Sequence, residues 1–413
     1  MIITENTTLE SGVYYLPEGI TIAAGGITLD GNGAVLVGSN REGHGVTVRG
    51  QDGVTIKNLR LRDYYHGIYA EDASDLTITE CQITSTAEVA PNTVFLNIWL
   101  PVDEAYGSGI LLNRVTNSTI ERNDLQHQMN GLLAYNCDKL TVRANIASYN
   151  SGFGIMLSNT NDSLFEENYA DFCCRWEPRG GRTGHMGSDA TGFLILSGSS
   201  RNVFRRNYAR MGGDGFFMAG LSRYSELRPC NDNLFEENDA SHSPNIGFEA
   251  TFCANNTFRD NLANRCNYGF WLGFSMNNTI QNNQMNYCTQ AGIAVENGFG
   301  FVVEDNTFSH SPHGILLWSK HIESFLNVVP HNDTSHDWTI RRNKFTRNDK
   351  AIRIAADQDH GVRPYAISGK RPYGHIIRDN TIEDNRIGIE LVDAEETVIE
   401  HNHMSGNVEA DVR

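Results

Sequence analysis

The sequence predicts an all-β solenoid of three-stranded coils, each about 22 residues long, and two recurring landmarks predict it. The first is an asparagine a few residues after an apolar pair, at Asn123, Asn145, Asn168, Asn207, Asn238, Asn261, Asn283, Asn306, Asn343, Asn380 and Asn402. Where nothing is inserted the step is 22 or 23 residues, as from Asn123 to Asn145 and from Asn145 to Asn168. The second is a glycine followed by alternating apolar residues, as in Gly109-Ile110-Leu111-Leu112, Gly154-Ile155-Met156-Leu157, Gly247-Phe248-Glu249-Ala250 and Gly292-Ile293-Ala294-Val295. Period-two alternation in short runs bounded by Gly, Asn, Ser and Asp is a strand signature.

One coil therefore carries a Gly-led strand, a second strand ending before the Asn, and a third after it. Asn tolerates left-handed backbone, so it is expected at the turn itself. Its amide can bond the equivalent Asn one coil away, which makes an internal Asn ladder. Cys81 occupies a ladder position.

This pattern resembles the right-handed parallel β-helix of the pectate-lyase-like superfamily and its carbohydrate-active short-repeat relatives, over about residues 40 to 413. The resemblance implies that fold and a polysaccharide or oligosaccharide as partner. It also implies a substrate cleft beside one sheet. Fructan-processing fructotransferases on this fold use an acidic pair beside a subunit interface, usually in trimers.

Composition agrees with a repeat of tight turns: 39 Gly against 10 Pro in 413 residues. Residues 1–40 follow a looser strand pattern and are expected to form an N-terminal β cap, with the β-helix over 41–413. A formal charge of −17 argues against nucleic acid. No apolar run approaches a membrane span. The start, Met1 to Thr8, shows no basic and apolar leader, so a cytoplasmic protein is expected, or a secreted one whose leader has been removed. The eight cysteines form no zinc-type pairs and are read as small buried residues.

Insertions at about 87–107, 174–190, 221–229, 320–334 and 357–371 all border the Gly-led strand. They are expected to wall a trough whose floor is that sheet. In Gly-apolar-x-apolar the x residue points outward. That column reads Tyr69, Leu111, Leu133, Met156, Leu194, Phe217, Glu249, Trp271, Ala294, Leu316, Arg353, Glu390. So apolar an outward column implies a covered groove or a subunit interface, the latter consistent with a homo-oligomer such as a trimer. A second outward column includes Glu296 and Trp318.

Glu249 between Phe217 and Trp271 is the leading catalytic candidate, since a partly desolvated carboxylate suits general-acid work and flat rings suit sugar faces. Asp214, in Gly212-Gly213-Asp214-Gly215, and Asp189 are the candidate partner acids. Coil spacing puts Glu249 and Asp214 about 8–11 Å apart. The loop 174–189 supplies Trp176, Arg179 and Arg182, expected to clamp and orient a saccharide, and His185, a catalytic candidate as acid, base or hydrogen-bond donor. Trp318, Arg353 and His313 are further substrate-binding candidates. Asp357-Gln358-Asp359 is a fragment of a calcium loop without the rest of that motif, so no cofactor is expected, with calcium as the low alternative.

Three functions remain open on these residues. The first is cleavage or transfer of a glycosidic bond by paired carboxylates. The second is a polysaccharide lyase or uronate epimerase, with Arg353, His313 and Lys320 as players. The third is a non-catalytic carbohydrate-binding β-helix.

Overall fold

The computed structural model describes residues 1–90, 96–179, 182–186, 190–222, 226–356 and 370–413; of 177–179 and 182–186 it describes the backbone alone. It is a right-handed parallel β-helix. The chain divides into two compact units, Met1–Asp214 and Gly215–Arg413.

In the first unit the Gly-led strands form one parallel sheet, running through His44–Arg49, His66–Ser74, Ser108–Thr116, Asn130–Tyr135, Phe153–Ser158 and Thr191–Leu196. Three-residue strands such as Thr77–Thr79, Thr119–Glu121 and Thr141–Arg143 form the second sheet. Gln82–Thr84 and its neighbours form the third, which continues as single bridges through Asp124, Ile146, Tyr169 and Tyr208. The second unit repeats the plan, its first sheet including Ile246–Thr251, Tyr268–Trp271, Ala291–Glu296, His313–Trp318, Lys350–Ala355 and Ile387–Val392. Within residues 1–40, Ile2–Ile3, Thr7–Thr8 and Val13–Tyr15 pair in these same three sheets. The looser sequence reflects shorter strands in coils that keep the register.

The asparagine ladder exists, with a different backbone from the one expected. Asn145 Oδ1 accepts from both the backbone N (3.0 Å) and Nδ2 (2.9 Å) of Asn123, whose Nδ2 also donates to Ile78 O. Cys81 takes the same place through its backbone N, 3.0 Å from Asn123 Oδ1. The left-handed residue is the one before each Asn: Arg122 (φ 52°), Ala144 (φ 52°), Glu167 (φ 55°), Glu237 (φ 55°), Asp260 (φ 59°). The Asn amide is buried and spans two coils; leaving its donors unmet would cost more than the left-handed turn costs an ordinary residue. Two more ladders escaped the sequence reading, Asn233–Asn256–Asn278 and Asn348–Asn385–Asn407.

The leading glycine also has a steric cause. A Cβ on Gly269 would lie 2.6 Å from Gly292 O and 2.9 Å from Met285 Cγ. Only glycine lets successive coils stack at this corner. Inside the second unit, Phe216, Phe248 and Phe270 stack at centroid spacings of 5.0 and 4.9 Å, with Phe235 and Phe258 edge-on to them. Seven of the eight cysteines are buried. Burial pushes the Cys81 and Cys173 thiols up to about 12, so neither is a ready nucleophile.

Candidate functional site

Register places the outward column as the sequence indicated. In the first unit Tyr69 pairs with Leu111, Leu111 with Leu133, Leu133 with Met156 and Met156 with Leu194. In the second, Glu249 pairs with Trp271, then Ala294, Leu316, Arg353 and Glu390 follow in line. In the first unit the column is covered within the chain itself. Leu111, Leu133, Met156 and Leu194 are all at most 2 % exposed within the single chain. The insertion after the third strand is tied to this face: Leu96 is buried, Tyr135 Oη donates to Leu100 O, and Tyr65 Oη donates to Ala105 O. Arg175, buried, anchors it further by donating to Ala90 O. The apolar column of the first unit is thus buried within the single chain.

The second unit's floor is open at one place. Glu249, Tyr268 and Trp271 are half-buried, whereas Ala294, Leu316, Trp318, Arg353 and Glu390 are buried. Tyr268 meets Trp271 edge-on at 4.8 Å, and Trp271 meets Trp318 edge-on at 5.3 Å. Two insertions form one wall. Phe325, in the short helix Glu323–Leu326, sits edge-on to Phe252 (5.0 Å) and Phe274 (5.1 Å), and Leu221, Ile322 and Val328 pack onto the same cluster. Behind it, Lys320 is buried on the Glu296 carboxylate. Asn297 clamps this wall to the floor by donating to Lys320 O (2.8 Å) and Asn332 O (2.7 Å). Gly273 leaves the space Glu296 fills: a Cβ there would meet Glu296 Cγ at 3.0 Å and Oε1 at 3.1 Å.

Several expected roles change with burial. Trp318, 1 % exposed, backs Trp271 and offers no face to a sugar. Phe217 is also buried. Arg353 Nε donates to Glu390 Oε2 at 2.7 Å, and Arg413 and Lys350 reach the same carboxylate. Although burial pushes Glu390 up, these three cations hold it below the usual carboxylate range. His313 is buried beside Gln290 O. Asp214 is fully buried as the first residue of its strand, its backbone N donating to Ala190 O. Trp176 is exposed on the hairpin Trp176–Arg179 with Arg182–Met186, where Glu177 pairs with His185 and Arg179 with Arg182. The side chains of Arg179, Arg182 and His185 lie outside the described residues, as do Asp189, Asp357 and Asp359. Among the described residues no cluster could hold a metal ion, and no helix is long and apolar enough to cross a membrane.

The sequence reading missed a third outward column, the residue before each leading glycine. His66, Ser108 and Asn130 pair in register there, as do Tyr268, Ala291, His313 and Lys350. The strand bends at the glycine, so two non-alternating positions share a face. The 4.8 Å contact of Tyr268 with Trp271 shows it. The same column carries a buried imidazole cluster in the first unit. His66 Nδ1 lies 2.9 Å from Ser108 Oγ, and burial drives its pKa down to about 3. His44 stacks on both His66 and Tyr69, its pKa lowered by burial and by Arg49.

A search of curated protein sequences finds no match. Among solved structures, the chain is similar to the A-module of a mannuronan C-5 epimerase of Azotobacter vinelandii (TM-score 0.54, 16 % identity, covering 83 % of this chain and 87 % of that one). It is also similar to a periplasmic alginate epimerase (TM-score 0.51, 10 % identity, 96 % and 79 % covered). A third is the catalytic domain of a GH87 α-1,3-glucanase in complex with tetrasaccharides (TM-score 0.52, 13 % identity, 98 % and 69 % covered). At these identities the likeness is one of fold. The sequence itself matches the right handed beta helix region family in three overlapping stretches, 44–173, 92–228 and 195–327, more than half of its length. The chain belongs to the right-handed β-helix family.

Proposed function

We propose that this protein is a carbohydrate-active enzyme that cleaves or transfers a glycosidic bond, with Glu249 as its acid. The observation that carries this reading is the half-buried Glu249 in register with half-buried Trp271 on a floor otherwise closed. Trp271 and Tyr268 supply apolar surface for the C–H face of a sugar, and the wall around Phe325 borders it. The named activities of the structural neighbours, epimerisation of mannuronan and alginate and hydrolysis of α-1,3-glucan, support a saccharide as substrate.

Glu296 is the second carboxylate of the reading. It lies two coils along and one outward step over, about 10–12 Å from Glu249 between Cα atoms, with the side chains spanning the remainder. Glu249 gives its proton to the glycosidic oxygen as the bond to the anomeric carbon breaks. Glu296, ion-paired to Lys320, takes the proton of the attacking water or sugar hydroxyl. Substituting Glu249→Gln and assaying reducing-end release from a panel of glucans and fructans tests the proposal; unchanged turnover of a substrate cleaved by the native protein would falsify it.

A second reading is a lyase or uronate epimerase. It is favoured by the two structural neighbours named as mannuronan and alginate epimerases. Ultraviolet-absorbing unsaturated products from uronate polymers, measured with and without a chelator, separate elimination from hydrolysis.

A further inference from the structure

The first unit carries an exposed apolar strip that the saccharide site does not use. On its third sheet Ile146, Tyr169 and Tyr208 follow one another in register, and at the adjoining turn Tyr149, Phe172 and Met211 occupy successive coils. Ile146, Tyr169 and Phe172 are each 41 % exposed, Tyr149 49 % and Met211 40 %. Left-handed backbone at Tyr149 (φ 58°), Phe172 (φ 57°) and Met211 (φ 56°) turns these side chains outward at a position where small polar residues are favoured. A contiguous run of large apolar residues there exceeds the singly scattered apolar residues of an ordinary surface.

The rings are also arranged wrongly for a sugar. Tyr149 lies between His127 (5.2 Å, 14°) and Phe172 (4.8 Å, 5°), and Tyr169 lies on Tyr208 (4.7 Å, 10°). Each ring face is covered by the next ring, so the strip shows edges to solvent.

Its ends differ in charge. Asp124 continues the column beyond Ile146; it accepts from Gln82 and Gln126 and forms no ion pair among the described residues. At the other end Arg210 lies over the Tyr208 ring at 4.9 Å while it holds Asp171. A two-fold axis through the middle of the strip would lay ring edges against ring edges and bring Asp124 onto Arg210 of the partner subunit, twice. The exposed area is about 500 Å² per copy, so a pair buries about 1,000 Å², the lower bound for a specific interface.

We propose that this strip is a two-fold interface between two copies of the chain, independent of the saccharide floor. Sedimentation velocity on the full chain tests it. A monomer–dimer transition is expected between about 1 and 100 μM, as suits an interface of this size. Tyr169→Glu and Phe172→Glu should each raise the midpoint at least about tenfold, with the thermal transition of the monomer unchanged. Asp124→Arg should weaken the dimer, and adding Arg210→Asp should restore it. Protein that stays monomeric at about 100 μM overturns the proposal. So does a dimer unaltered in both Glu variants. Retention of a monomer on a polysaccharide gel, lost in those variants, overturns it in favour of a saccharide occupant.

Discussion

The two units lay down the same floor and use it differently. In the first, Leu111, Leu133, Met156 and Leu194 are buried, and the insertion that carries Leu96, Leu100 and Ala105 is bonded to the same face at Tyr65 and Tyr135. In the second, Glu249, Tyr268 and Trp271 stay half-buried, because Leu221 and the insertion at 320–334 pack beside them on Phe252 and Phe274. A loop that crosses the column turns outward side chains into core. A loop that docks on the turn next to the column leaves a wall and an opening. Where an insertion anchors decides whether a β-helix face becomes interior or cleft, and identical strand register gives no hint of it.

That contrast can be broken by experiment, starting where the effect is largest. Glu249→Gln should lower kcat by about a thousandfold, the range for removing a general acid, with the melting temperature unchanged. Leu133→Ala, at the matching column of the first unit, should do the opposite. It should cost about 3 kcal/mol in chemical denaturation while kcat of the folded fraction holds. Loss of activity at native stability in Leu133→Ala would move the working face to the first unit.

Acid should act on both units through buried imidazoles. Burial holds His66 down at about 3 and His375 at about 4, against 6.5 for an exposed histidine. The unfolded chain binds these protons first, so stability is full above pH 6.5 and falls as pH drops toward the folded values. The slope is about 1.4 kcal/mol per pH unit for each histidine. His66→Gln should flatten the pH dependence of the unfolding free energy between pH 6 and 4 by about one proton; an unaltered slope would mean that the imidazole is solvated in the native state. Smallest is Trp271→Ala, expected to raise KM about fivefold to tenfold with little change in kcat, since a platform binds ground and transition states alike.

The fold was legible because its causes are local and repeat. A buried amide that must find partners on the next coil leaves Asn261, Asn283 and Asn306 at fixed intervals, and a corner without room for a Cβ leaves Gly269 and Gly292. Column membership followed by counting. Exposure did not, because it depends on contacts distant in sequence. Trp318 and Trp271 both read as outward-facing in the sequence, yet one is buried behind the other. Arg353 read as a substrate ligand until Glu390, one coil on, proved to hold it. Tyr268 went unnoticed because strict alternation fails at a glycine bend. Glu296 was in view in the second column, but its lysine partner arrives on a wall loop whose path no periodicity describes.

The ladder has one further consequence. Asn168 bonds Asn207 across 39 residues, and Asn306 bonds Asn343 across 37, with distances matching those of neighbours 22 or 23 apart. The fastening is indifferent to how much chain runs between two fasteners. Segments on the rim can therefore lengthen, shorten or be exchanged while the spine keeps its pitch. A lineage that owns such a spine can revise what it grips without learning to fold again.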